Sequence, residues 1–278
     1  MTAAPRISVL ISCYRNARFV AKKLAEVEAQ TWFQQCEFLF IETASPERER
    51  ELFAPFCALH PNCRLLASDE RQTLYEAWNL GWRAARAPLI CYSNMDDTMH
   101  PALLEQVVRD MDEQRREVCT VLIAKQNESD PQLDDWSCEH LRKLKINTRP
   151  GPFMAWRKDL AERIGMFDGQ FIGAGDLDFW ARIVANRLRV GLVPKILYLY
   201  TKSPGQLSKS SDHRREHDNA LLAAKPYPIT WHSGWRRKVR WLRGLVWLAP
   251  RRFCVPIATT GARGNQEPSS ETSANASR

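Results

Sequence analysis

The chain has 278 residues, 44% hydrophobic and 26% charged, which is enough to bury a sizeable core and excludes general disorder. Its net charge of +8 arises mainly in one basic segment, residues 231–252, so the sequence does not indicate a nucleic-acid-binding fold. The eight cysteines form no CxxC pair, which argues against a disulfide framework and a zinc knuckle. No run of about 18 apolar residues occurs, which argues against a membrane span. Together with the lack of a secretion signal, these features predict a cytoplasmic protein.

Strands and helices alternate along the first half of the chain. Buried strands are predicted at residues 7–13, 37–41, 64–67, 88–93 and 118–123. Helices are predicted at residues 17–30, 47–60, 74–86 and 101–115. This alternation predicts an α/β fold with a mostly parallel central sheet covered on both faces. In such a sheet, ligands bind beyond the carboxyl ends of the strands.

The second half of the chain is less regular. Residues 124–152 are polar and lack clear periodicity, which indicates a functional loop or an irregular subdomain. Helices are predicted at residues 157–164 and 176–186, and strands at residues 189–193 and 196–200. We expect one domain over residues 1–205, a basic helical extension over 206–258 and a disordered tail over 259–278, which lacks large apolar residues.

Two neighbouring acids follow the predicted strand at residues 88–93. Asp96 and Asp97 come directly after Asn94-Met95, at the carboxyl end of the strand. Carboxylate oxygens suit a hard divalent cation, so this pair is a candidate metal site. The alternative is that Asp97 or Thr98 only caps the following helix, but a cap needs one acid rather than two.

A second acidic pair opens the predicted helix at residues 176–186. Asp176 and Asp178 follow the glycine-rich turn Gly173-Ala174-Gly175. Acids at a helix N-terminus are favourable for electrostatic reasons alone, so this pair taken by itself has a structural explanation.

Five segments taken together resemble the family 2 glycosyltransferases. The first two, ISVLISCY at 7–14 and FLFIETAS at 38–45, are similar to the opening and second strands of that family. Residues 68–101 resemble its long central signature, which ends in Asn-x-Asp-Asp. Residues 150–182 and 198–208 resemble its acceptor-side segment and its closing loop. Five blocks in family order are far more specific than one short motif.

This resemblance implies the glycosyltransferase A fold, with a nucleotide-sugar-binding half at residues 1–97 and an acceptor half at residues 98–205. It implies an enzyme of the hexosyltransferase type that moves a sugar from a nucleoside diphosphate, with inversion, to a glycan or lipid-linked acceptor in cell-surface polysaccharide biosynthesis. The alternative is a non-catalytic relative that binds nucleotide sugars or recruits partners to a membrane.

The resemblance also assigns residues to the donor. Asp96 and Asp97 are expected to hold a Mn²⁺ or Mg²⁺ ion against the donor diphosphate, where negative charge accumulates as the glycosidic bond breaks. Asp96 is further expected beside the donor ribose, and Ser12 beside the donor. Glu42 is expected to contact the base or ribose, and the ring of Tyr14 to pack against the base.

The acceptor side carries three expected residues. Asp176 matches the family's catalytic base, which takes a proton from the attacking hydroxyl. Asp178 is expected to bind the acceptor or to support its loop. Trp156 is expected to offer an aromatic face to the acceptor sugar, with core packing as the alternative.

The sequence departs from the family pattern at three positions. Glu42 replaces the usual aspartate, so a longer side chain must reach the base by another path. Gly175 stands where many members have glutamate, and Ser203 stands where many have a histidine. These differences concern base selectivity and any metal ligand from the closing loop.

The basic segment interleaves cations with tryptophan and aliphatic residues at helical spacing. Residues 231–252 contain seven Lys or Arg residues and no acid. An amphipathic helix of this composition fits an anionic membrane surface, which predicts peripheral attachment to the cytoplasmic face. The alternative is that the helix packs on the main domain and leaves its cations in water.

Overall fold

The structure is a computed structural model that describes residues 4–147, 151–203, 206, 212–229, 253–255 and 257. The strands of this part are β1 (Ile7–Cys13), β2 (Cys36–Thr43), β3 (Cys63–Ser68), β4 (Leu89–Tyr92), β5 (Thr98–Met99), β6 (Val118–Asn127), β7 (Lys145–Asn147), β8 (Ala155–Arg157) and β9 (Val190–Lys202). The α-helices are α1 (Ala17–Glu28), α2 (Glu49–Leu59), α3 (Leu74–Ala84), α4 (Leu103–Glu113), α5 (Cys138–Lys143), α6 (Leu160–Ile164), α7 (Gly175–Ala185) and α8 (Asp212–Ala223).

All of the strands belong to one mixed sheet. Its order is β3-β2-β1-β4-β8-β6-β9-β5, and β7 pairs with β6. Strands β1 to β4 are mutually parallel, as are β6 and β9, whereas β8 runs antiparallel to both β4 and β6. The predicted α/β fold with its alternating strands and helices is therefore confirmed. The short strands β5, β7 and β8 were not predicted, and each pairs antiparallel with its neighbours.

Helices cover both faces of the sheet, and the two larger of its three apolar clusters share the residues of β1. Along β1, Val9 and Ile11 pack into the first cluster, while Leu10 between them packs into the second. This alternation follows from the two-residue repeat of a strand. Gly81 brings α3 close to the sheet, because a Cβ there would lie 2.6 Å from the Cδ1 of Ile41 and 2.8 Å from a Cδ of Leu10.

The two strands predicted at residues 189–193 and 196–200 form one continuous strand, β9. Pro194 lies between them and lacks a backbone N–H, so it cannot donate a ladder hydrogen bond. The pairing of β9 with β6 shifts register between Val121 and Ile123, opposite this proline. A bulge thus accommodates the proline without ending the strand.

A short C-terminal segment returns to the sheet. The amide of Ile196 donates to the Phe253 carbonyl at 2.8 Å, and His100 Nε2 lies 3.0 Å from the Val255 carbonyl. The basic segment 231–252 and the tail 259–278 lie outside the described residues, so their predicted structures stay predictions. None of the helices in the described part combines the length and apolar composition that crossing a membrane requires.

Candidate active site

The parallel strands β1, β2 and β4 end along one edge of the sheet, and this edge carries the predicted donor residues. Ser12 lies near the end of β1 and Tyr14 just after it. Glu42 lies near the end of β2, and Asp96 and Asp97 follow β4. Parallel pairing of neighbouring strands thus gathers these residues at one edge of the sheet.

Asp97 is fully buried, and three donors from two segments bind its carboxylate. Its Oδ2 accepts hydrogen bonds from the Asn94 side-chain amide at 2.9 Å and the Tyr198 hydroxyl at 3.0 Å. Its Oδ1 accepts one from the Thr201 backbone amide at 2.9 Å. Burial, with the nearby charge of Asp96, raises the pKa of Asp97 to about 8. A positive charge beside this turn would therefore stabilise its ionised form.

Asp96 lies at the surface of the same turn and is partly exposed. Its Oδ2 accepts hydrogen bonds from Ser203 Oγ at 3.3 Å and Gln206 Nε2 at 3.0 Å. The predicted closing loop therefore reaches the acidic pair. The serine that replaces the family's histidine contacts an acid of the pair rather than adding a strong metal ligand.

A buried lysine, Lys23 of α1, holds this turn from the other side. Its ammonium group donates to the Asp97 carbonyl at 2.8 Å and Ser93 Oγ at 3.2 Å, and pairs with Glu26 at 3.0 Å. Glu26 in turn accepts a hydrogen bond from the Met99 amide at 2.9 Å. Sequence reasoning missed this group. The signal was a lysine on the apolar face of the predicted helix at residues 17–30.

The residues of the turn fit a divalent cation that a substrate helps to bind. Within the described ranges, no group of three or more His, Cys, Asp or Glu side chains forms a metal site. Mg²⁺ is commonly held by one or two carboxylates together with waters and substrate phosphates. Asp96 and Asp97 supply that smaller donor set. Because burial disfavours the ionised form of Asp97, a cation bound beside it would be stabilising.

Glu42 is held within the fold by neighbouring polar groups. The residue is fully buried, and its carboxylate accepts hydrogen bonds from the Ser45 amide and from Arg50. Arg50 also donates a hydrogen bond to the carboxylate of Asp69 at 2.8 Å. The longer side chain thus binds an arginine within the fold, and the expected contact of Glu42 with the base or ribose stays a prediction.

Tyr14 and Ser12 remain at the surface of the predicted donor side. Both are partly exposed. The guanidinium of Arg71 stacks on the Tyr14 ring at 3.4 Å from its centroid, a cation–π contact. The Trp78 indole donates to Ser12 Oγ at 3.2 Å. Arg71 therefore occupies one face of the ring that was expected to pack against a base.

Asp176 lies in the first turn of α7 and is partly exposed. Its Oδ1 accepts hydrogen bonds from the Leu177 amide at 2.9 Å and the Tyr75 hydroxyl at 3.4 Å. Burial raises its pKa to about 6, a value suited to a general base near neutral pH. Gly175 is explained here, because a Cβ at that position would lie 2.8 Å from ring carbons of Tyr75.

The other two expected acceptor residues are enclosed. Asp178 is fully buried, pairs with Arg182 at 2.9 Å and accepts a hydrogen bond from the Tyr227 hydroxyl at 2.5 Å. Trp156 is fully buried, and four aromatic rings surround it: Trp82, Tyr92, Phe167 and Phe179. These enclosed positions fit the alternatives given above, which are core packing for Trp156 and support of the loop for Asp178. Acceptor binding by either residue stays a prediction.

A row of three aromatic side chains, Tyr75, Trp78 and Tyr92, joins the two acidic segments. Trp78 stacks on Tyr92 with ring centroids 4.1 Å apart, and Tyr75 meets Trp78 edge to face at 5.5 Å. Burial raises the pKa of Tyr92 well above its usual value, and the charges of Asp176 and Asp97 both add to the shift. The charges of Asp176 and of the Asp96–Asp97 turn therefore act on the same aromatic row.

Comparison with known proteins gives a family match and a fold match. The profile of the family "Glycosyl transferase family 2" matches residues 8–165, more than half of the chain. No curated protein matches the sequence significantly. Among solved structures, residues 1–349 of S. aureus TarS in complex with UDP-GlcNAc superpose with a TM-score of 0.59 at 13% identity, covering 78% of this chain and 66% of that one.

Two further TarS structures show the same likeness. The complex of residues 1–349 with UDP has a TM-score of 0.55 at 15% identity, and covers 78% of this chain and 70% of that one. S. aureus TarS itself has a TM-score of 0.57 at 15% identity, and covers 78% of this chain but only 42% of that one. At these identities the likeness shows the fold alone, and this chain spans less than half of TarS.

The buried carboxyl of Asp97 predicts a pH-dependent loss of stability in the absence of divalent cations. Its pKa is about 8 in the folded protein, whereas an unfolded aspartate ionises near pH 4. The folded state therefore holds a proton that the unfolded chain has released. Stability should fall as pH rises between these values, by at most about 1.4 kcal/mol per pH unit.

The D97N variant removes this dependence, so denaturation with urea from about pH 5 to about pH 8 should show the parent losing stability relative to the variant. The D159N variant, which changes an exposed aspartate at the start of α6, should follow the parent. Parallel stability curves for the parent and D97N would contradict the assignment.

Proposed function

This chain belongs to glycosyl transferase family 2 and is a glycosyltransferase with the glycosyltransferase A fold, and from that premise we propose that it transfers a sugar from a nucleoside diphosphate donor to an acceptor hydroxyl with inversion. The observation that carries the proposal is the aromatic row that joins Asp176 to the Asp96–Asp97 turn. TarS was solved with UDP-GlcNAc and with UDP, which supports a uridine diphosphate sugar as the first donor to test.

Asp96 and Asp97 would hold a Mn²⁺ or Mg²⁺ ion together with the donor diphosphate. When bound, such an ion neutralises charge on the leaving diphosphate. Asp97 keeps the turn in place through its buried hydrogen bonds, and Asp96 offers its carboxylate at the surface. Ser12 and Tyr14 lie on the neighbouring strand end, where a nucleoside would extend from the diphosphate.

Asp176 acts as the general base. The acceptor oxygen forms a bond to the anomeric carbon while the bond from that carbon to the diphosphate oxygen breaks, and the carboxylate of Asp176 takes the acceptor proton. A single displacement of this kind inverts the configuration of the anomeric carbon. The pKa of about 6 leaves Asp176 mostly ionised at neutral pH, as a base requires.

We further propose a glycan or lipid-linked acceptor of a cell-surface polysaccharide, with residues 231–252 on the cytoplasmic face of an anionic membrane. The support is the charge of that segment and the anchoring of the chain on both sides of it. Before it, Lys225 pairs with Asp168 at 2.6 Å. After it, Phe253 and Val255 bond to the sheet region. Binding of the cations in this segment to an anionic membrane would keep the enzyme near a lipid-borne acceptor.

Donor binding should depend on a divalent cation and on Asp96. We expect UDP-GlcNAc, or another UDP sugar in a small panel, to raise the melting temperature in the presence of Mn²⁺ and less in EDTA. The D96A variant should lose the cation-dependent part of the shift, and the exposed control D159A should keep it. Equal shifts with Mn²⁺ and with EDTA would contradict a metal-assisted donor site.

Removal of the base should slow the reaction without weakening donor binding. The D176N variant is expected to lower kcat by about 10²- to 10⁴-fold, since that is the usual contribution of a general base. In the parent, kcat should rise with pH through about 6, because the carboxyl must lose its proton to act. Steady-state release of UDP measures both. A D176N variant with parental kcat would contradict the role of Asp176.

Membrane attachment should require the cations of residues 231–252. The full chain is expected to co-sediment with vesicles that contain phosphatidylglycerol and to stay in the supernatant with pure phosphatidylcholine vesicles. Replacing the seven Lys and Arg residues of this segment by Gln should abolish sedimentation while donor binding is kept. Sedimentation of that variant at the parental level would overturn this part of the proposal.

A further inference from the structure

An acid from the C-terminal extension is buried against the turn that precedes α7. Asp218 of α8 is 6% exposed, whereas its neighbours Glu216 and His217 are exposed. The helix lies beyond residues 8–165, the segment that matches the family profile. A charged side chain is costly to bury, so its position calls for partners in the main domain.

Its partners are two consecutive backbone amides. The Ile172 amide donates to one carboxylate oxygen of Asp218 at 2.9 Å, and the Gly173 amide donates to the other at 2.7 Å. Hydrogen bonds to an ionised carboxylate are stronger than those between neutral groups. Gly173 comes three residues before Asp176. Asp218 therefore fixes the backbone immediately before the first turn of α7.

Two further residues of the extension contact the residues just before this turn. His217 Nε2 lies 3.1 Å from the Gln170 carbonyl. Lys225 pairs with Asp168 at 2.6 Å. Three side chains of the extension thus contact residues 168–173. Among them Asp218 is buried, and it bonds to the two of these residues that lie closest in sequence to Asp176.

Charged and titratable groups reach Asp176 from three elements. Tyr75 of α3 donates a hydrogen bond to its carboxylate, which lowers its pKa, whereas the negative charge of Asp218 from α8 raises it. Tyr92 at the end of β4 interacts with the charge of Asp176. On α7 itself, Asp178 is paired with Arg182. Asp218 of the extension therefore raises the pKa of Asp176, because its negative charge opposes ionisation of that carboxyl.

We propose that Asp218 is a positioning residue for the reaction: it anchors the turn at residues 172–173 so that Asp176 is held at the aromatic row, and it places a second negative charge behind that base. This inference rests on the proposed role of Asp176. It gives Asp218 of the C-terminal extension a supporting role in catalysis, because this side chain holds the turn that precedes the base.

The test uses the D218N variant of the full chain, which removes the charge and one of the two acceptor oxygens. With UDP-GlcNAc as the first probe and UDP release as the readout, kcat should fall roughly ten- to a hundredfold while the KM for the donor stays close to the parental value. The midpoint of the pH profile of kcat should move below the parental midpoint, because removing a negative charge favours ionisation of Asp176. The control E216Q, which removes an exposed charge from the same helix, should leave kcat, KM and midpoint unchanged.

A purely structural role for Asp218 predicts a different result. D218N would then lower the melting temperature but keep the parental kcat and pH midpoint when assayed well below that temperature, and this would overturn the inference. If D218N does not fold, D218E serves instead. It keeps the charge and displaces the turn, so kcat should fall with an unchanged midpoint, and a parental kcat in D218E would overturn the inference as well.

The D176N background separates this inference from the proposed function. When Asp176 is the base, D218N should lower kcat little further in a chain that already carries D176N. Parental kcat in the D176N single variant would instead refute the proposed function itself. A large loss in D176N together with parental kcat in D218N would refute only the inference about Asp218.

Discussion

The burial of one carboxylate, Asp97, sets the geometry of the whole site. It is removed from water at the end of β4, so its oxygen atoms need hydrogen-bond partners within the protein. The structure supplies Asn94 from the turn and Tyr198 and Thr201 from β9. These bonds join two distant strands of the sheet. They also hold the turn so that Asp96, one residue earlier, stays at the surface.

This constraint extends to parts of the chain that do not touch a donor. Lys23 fixes the same turn from α1, and the loop after β9 reaches Asp96 through Ser203. Beside the same aromatic row, Asp218 fixes the turn that precedes Asp176. Asp96 and Asp176 are thus held by buried polar groups from elements distant in sequence. Such support suits a site that must be rigid before the substrate binds.

The sequence was sufficient for the long elements and for the strand-end acids, because hydrophobic periodicity and strand polarity are local signals. It was insufficient for β5, β7 and β8, whose two or three residues become strands only through their neighbours. The surroundings of Glu42, Trp156 and Asp178 could not be predicted for a related reason. Their partners include Arg50, an aromatic cluster and Tyr227, and no spacing rule reveals which partner a side chain will meet in the folded chain.

We expect the turn after β4 to bind a cation together with a diphosphate. Crystals of the full chain grown with UDP and Mn²⁺, measured at a wavelength where manganese scatters anomalously, test it directly. The account predicts an anomalous peak within coordination distance of a carboxylate oxygen of Asp96 and of both phosphates of UDP. Well-ordered UDP with no manganese peak near Asp96 or Asp97 would contradict it.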